Sequence, residues 1–91
     1  MKVYIVTHTS TNLDEWADTE VVSAHLNREK AEKSLADKKS ELLKDKYKDY
    51  NPDDDESDID IETDLDGWFK ISNNETFDAD ELLIHEENVI D

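Results

Sequence analysis

Carboxylates are the side chains that this chain supplies in a pattern with chemical consequence. Asp53, Asp54, Asp55 and Glu56 are consecutive, and Asp58, Asp60, Glu62, Asp64 and Asp66 then recur at every second position. On an extended strand, residues two apart share a face. Five carboxylates would then stand in a row, about 6.8 Å apart over roughly 27 Å. That repeat is of the same order as the step between phosphates along one nucleic-acid strand. Such a row could fill the Lys and Arg sites with which a DNA-binding groove holds phosphates. Like charges on one face repel, and no lysine lies between Lys48 and Lys70 to relieve them. That absence is the best argument for a functional array. The plain alternative is a solvated strand face that only keeps the protein in solution.

Other chemistry finds less support. Glu62-x-Asp64-x-Asp66-Gly67 is similar to the start of an EF-hand calcium loop. It departs from the pattern in having Glu62 at the first position and Asn73 at the twelfth, where a bidentate carboxylate is needed. A calcium-binding acidic domain is therefore kept only as an alternative, and no resident metal or cofactor is expected. His8, His25 and His85 are scattered, without metal-ligand spacing. The chain has no cysteine, no glycine-rich phosphate loop and no nucleophile motif, so no enzyme activity is expected. Trp16, in a polar stretch, is a candidate anchor for a partner, while Trp68 beside Phe69 reads as strand packing.

Charge bounds the class of partner. The 91 residues carry a net −16. Residues 1–26 hold four acids and one Lys, residues 27–50 eight bases and six acids, and residues 51–91 sixteen acids and one Lys. Such a field disfavours direct binding to nucleic acid or to an anionic membrane and favours a basic partner. High charge is also a mark of disorder, but the seven aromatic residues and clean periodicities argue for an ordered domain. No signal peptide is expected, since the opening KVYIVTH is too short an apolar run. Lack of cysteine fits a reducing cytoplasm.

The elements that must position these groups follow in order. Lys2–Thr7 alternates apolar residues on both sides and predicts a central strand. His8–Ala17 reads as a polar connection and Thr19–Leu26 as a second strand, paired with the first as a hairpin. Asn27 is a helix N-cap candidate, with Glu29 in the first turn, and the composition predicts a helix from Arg28 to about Lys48. Ala31, Leu35, Leu42, Leu43 and Tyr47 form its apolar stripe. Asn51-Pro52 stops it. The acidic strand Asp58–Asp66 turns at Asp66-Gly67 into Trp68–Ser72, giving an acidic loop and hairpin over residues 52–72. After a turn at Asn73–Glu75, a last strand covers Leu82–Ile84 with a continuation toward Val89. The expectation is one α+β domain over residues 1–91, in the order β-β-α-β-β-β, with one helix on a mostly antiparallel sheet.

KVYIVTH, an acidic connection containing Glu15, and then TEVVSAHLNREKAEKSL resemble a recurring design among small uncharacterised bacterial and phage proteins. The resemblance covers residues 2–35, transfers no catalytic residue, and implies a phage or mobile-element setting. In size and charge the chain is also similar to phage-encoded DNA mimics, among them anti-restriction proteins, anti-CRISPR proteins and inhibitors of uracil-DNA glycosylase. The resulting expectation is an inhibitor acting in the host bacterial cytoplasm. Asp53, Asp54, Asp55, Glu56, the five alternating acids and Trp16 would contact a basic nucleic-acid-binding protein such as a CRISPR effector, restriction enzyme or repair enzyme. An interaction module without mimicry, of immunity or adaptor type, is the alternative. A homodimer through an edge strand is also compatible with the pattern.

Overall fold

In the computed structural model, which describes residues 1–12, 17–54 and 56–90, the β-branched opening forms strand β1 (Lys2–Thr11). It pairs antiparallel with β2 (Ala17–His25) as the expected hairpin, and its other side pairs antiparallel with the last strand, β5 (Asp78–Asn88). Between them in sequence come helix α1 (Arg28–Lys44) and the hairpin of β3 (Ile59–Leu65) and β4 (Trp68–Asn73). The sheet order is β2-β1-β5-β4-β3, with every neighbouring pair antiparallel. The α+β class and the element order agree with the pattern read from sequence. The strands do not keep the boundaries read there. β1 runs through the polar residues His8 to Thr11, because backbone pairing on both sides holds it extended regardless of side-chain polarity. β5 likewise begins at Asp78, four residues before the apolar run at Leu82.

Cross-strand register divides the sheet into two faces. Tyr4, Val6, His8 and Ser10 of β1 point to one side, with Asp80, Leu82 and Ile84 of β5 and Phe69 and Ile71 of β4. Helix α1 covers this side through Ala31, Leu35 and Leu42. Val6, Phe69, Ile71 and Leu82 are fully buried beneath it. Each such side chain contributes about 1.5–3 kcal/mol by leaving water. Among the described residues no helix covers the opposite side, and the shortest axis is 18 Å, the thickness of two layers. Register aligns a row of outward residues across all five strands there: Leu65, Trp68, Leu83, Thr7 and Val21.

The helix starts where the sequence placed it. The Asn27 side chain accepts a hydrogen bond from Glu29 N at 2.7 Å, and Glu29 lies in the first turn. It ends at Lys44, earlier than expected. Tyr47 N reaches back five residues to the Leu42 carbonyl at 2.8 Å, so the following turn is wider than a helical one. That turn buries the Tyr47 ring, leaving it 1% exposed. None of the described helices is long and apolar enough to cross a membrane.

Candidate functional site: an acidic edge strand and a buried aspartate cluster

Strand β3 is a free edge of the sheet, and its carboxylates Asp60, Glu62 and Asp64 are exposed, as are the flanking Asp58 and Asp66. They do not form the single-faced row that alternation predicts. Asp58 lies in a bend before the strand and Asp66 in the turn after it. Between them the register shifts: Ile61 faces Ile71, but Thr63, not Glu62, faces Lys70. One extra residue on one strand is a β-bulge, which reverses which side the following residues take. Asp60 stays on the helix-free side, opposite Ser72. Asp64 pairs with Phe69 and turns toward the helix, while Leu65 turns outward and is 61% exposed. The carboxylates therefore form a band around the edge rather than a line along it.

The expected lack of nearby bases also fails in three dimensions, because other elements supply them. Lys39 of α1 bonds Asp64 at 2.7 Å and sits 5.1 Å from the centre of the Phe69 ring. Lys70 of β4 lies 3.7 Å from Glu62. Asn74 donates to Asp60 at 3.0 Å, and its backbone N–H donates to the Asp58 carbonyl at 2.8 Å, fastening the acidic loop to the sheet. Asp53, Asp54 and Glu56 are exposed on that loop. Asp55 and Trp16 lie outside the described residues. Glu62 and Asp64, which the EF-hand pattern needs to converge on one ion, point to opposite sides of the sheet at Lys70 and Lys39. Among the described residues no group of three or more His, Asp or Glu side chains is placed to hold a metal ion.

Sequence reading missed a second constellation. Asp80 is 1% exposed on the helix side of β5. Its Oδ1 accepts from His8 Nε2 at 2.6 Å and from the Ser10 hydroxyl at 2.7 Å. Its Oδ2 accepts from the Tyr47 hydroxyl at 2.5 Å and from Lys46 Nζ at 2.7 Å. Burial alone pushes this carboxyl up, but the hydrogen bonds from Lys46, Tyr47, Ser10 and His8 outweigh it and hold it below its ordinary value. Burial and the neighbouring carboxylate push the Tyr47 phenol well above its usual range. The signal in the sequence was the alternation Asp78, Asp80, Leu82, Ile84, which puts an acid in line with core residues.

Ser10, His8 and Asp80 are the residue types of a hydrolytic triad, but their arrangement does not activate the serine. His8 Nε2 donates to Asp80, so the same nitrogen holds no lone pair for the Ser10 proton, 3.2 Å away. Ser10 gives its proton to Asp80 instead. The cluster ties β1, β5 and the turn after α1 together. Beside it, His8, Ser10, Asp18, Thr19 and Glu20 line an open cleft of about 420 Å³.

Comparison with protein-family models, with curated proteins and with solved structures finds no match to this chain.

Proposed function

We propose that the protein is an inhibitor, from a phage or mobile element, that presents nucleic-acid-like charge to the DNA-binding groove of a host nucleic-acid-processing protein. The observation that carries this reading is the acidic band: the exposed carboxylates of Asp53, Asp54, Glu56, Asp58, Asp60, Glu62, Asp64 and Asp66 wrap a free sheet edge and the loop leading to it. A rigid edge presents charges without the ordering cost that a disordered acidic tail meets on binding. No catalysis is involved; inhibition is steric and electrostatic competition. The bulge modifies the mechanism. A band on both sides of an edge suits insertion of that edge between basic walls better than contact with a flat basic strip.

Lys39 and Lys70 already neutralise part of Asp64 and Glu62, so Asp58, Asp60 and Asp66 carry the larger share of the free field. The test is capture from bacterial lysate by immobilised protein, with washes of rising salt, duplex DNA as competitor and mass-spectrometric identification. One nucleic-acid-processing protein, released by salt and by DNA, is the expected result. Asp58→Asn, Asp60→Asn and Asp66→Asn together should keep the fold and abolish that capture. Equal capture by the triple variant, or a partner indifferent to DNA, would overturn the reading. The second outcome would favour an interaction module that uses the uncovered sheet face, where Trp68 and Leu65 are exposed.

A further inference from the structure

We propose, building on the acidic-band reading, that Phe77 extends that site by offering its ring face to an arginine side chain of the basic partner. Residues 74–77 join β4 to β5, whose last paired residues are Asn73 and Asp78. Phe77, at the end of this turn, is the one non-glycine residue with positive φ among the described residues, at 62°. Gly and Asn suit that region, and a bulky ring is disfavoured there. Packing does not offset this: the ring is 59% exposed and stands outside the buried core. Other groups hold the turn. Asn73 Oδ1 accepts from the backbone N–H of Glu75 at 2.9 Å and of Thr76 at 3.3 Å, and the Thr76 hydroxyl donates to Asp78 at 2.8 Å. A strained residue that neither packing nor turn geometry accounts for points to a contact made by its exposed ring.

Position and charge decide what the ring meets. Asn74 ties the turn to the acidic band, donating to the Asp60 carboxylate at 3.0 Å and to the Asp58 carbonyl at 2.8 Å. Asp58, Asp60 and Glu75 are exposed here, while Lys39 and Lys70 are engaged with Asp64 and Glu62. No Lys or Arg lies between Ile71 and Asp91. An aromatic face carries negative charge density, so ring and carboxylates attract the same kind of group, a cation. The chain makes this pairing within itself: Lys39 Nζ bonds Asp64 and lies 5.1 Å from the centre of the Phe69 ring. Among the described residues, the rings covered by a cation of the chain are Phe69 and Tyr47, which leaves the face of Phe77 for a cation from outside. Arg fits better than Lys. Its guanidinium is planar and weakly hydrated, stacks on a ring, and pairs with a carboxylate through a fork of donors. Arginines of that kind line grooves that hold phosphates.

The probes are an oligoarginine and an oligolysine of equal length, titrated into the isotopically labelled intact chain at low salt and followed by NMR. The oligoarginine should move the Phe77 ring signals together with the amides of Asp58 and Asp60, and should bind more tightly than the oligolysine. Phe77→Asn suits the positive φ and leaves the net charge unchanged. It should melt no lower than the parent and bind the oligoarginine about two- to fivefold more weakly. Phe77→Leu, which keeps apolar bulk without an aromatic face, should lose a similar factor. Three results would each overturn the proposal and leave the acidic-band reading standing: Asp58 and Asp60 amides that shift while the Phe77 ring does not, equal affinity for the two peptides, or either variant binding like the parent. Peptides that leave the amides of the whole band unmoved would overturn both.

Discussion

Asp80 stands where strand alternation puts core residues, and it is charged. Four donors make that placement tolerable, two from each of two distant parts of the chain: His8 and Ser10 along β1, and Lys46 and Tyr47 after α1. Asp80→Ala leaves all four without their acceptor and should cost about 3–5 kcal/mol. For a domain of this size that is a large part of total stability, and chemical denaturation would measure it. The acid sensitivity has a definite sign. The carboxyl lies lower in the fold than its ordinary 3.8 in the unfolded chain. Its stabilising contribution is complete above that value and is lost as pH falls through the folded value. The wild type should therefore lose stability steeply below about pH 4, and Asp80→Asn should flatten that limb in pH-dependent denaturation. The sequence made the inward position of Asp80 legible, but not its partners. His8 and Ser10 lay in a stretch read as a loop, and Lys46 and Tyr47 in a stretch read as helix. Only the pairing of β1 with β5 and the early end of α1 bring them together.

The elements were legible where apolar period and capping residues agreed. Asn27 and the Ala, Leu, Glu and Lys run gave α1, and Asp66-Gly67 gave the β3–β4 turn. The bulge was not read from the sequence, although Thr63, the one polar member of the inner set Ile59, Ile61, Thr63 and Leu65, stands where the register shifts. What breaks the alternation is fit: after Ile59 and Ile61 the position over Phe69 goes to Asp64 and Lys39, and Leu65 is left in solvent. The turn itself differs from the usual two-residue hairpin turn, since Gly67 does not adopt a positive φ. A Cβ there would lie 2.9 Å from the tip of the Arg28 side chain, a flexible group that can give way. In the β4–β5 turn the strain falls on Phe77, exposed and held at φ 62°. A bulky L-residue is disfavoured there and asparagine is tolerated. Phe77→Asn should stabilise the protein by about 0.5–1 kcal/mol, read as a rise of roughly 2–8 °C in the thermal midpoint.

At the scale of the whole molecule, the net charge of −16 sets how stability responds to salt. The described acids from Asp53 to Asp66 gather along one edge and its loop, so the exposed carboxylates there are held near others of their sign. Raising salt from about 0.02 M to about 0.5 M should increase stability by screening this repulsion, whereas a fold held by surface ion pairs would weaken. Denaturation midpoints at the two salts distinguish these cases. The sequence disclosed the net charge and its weight toward residues 51–91, a matter of counting, but not that Lys39 and Lys70 come to the acidic edge. It did not disclose which strand takes the centre of the sheet. That place belongs to β5, with β1 and β2 on one side and β4 and β3 on the other. Since β5 follows the other four strands in sequence, the ribosome makes the middle of the sheet after both flanks. Until it emerges, the nascent chain holds two separate ribbons, and a lone two-stranded ribbon is marginal in water. Assembly is thus a closing event in which one segment joins two waiting halves, and a ribosome stalled before Asp78 should hold a chain that proteases cut freely.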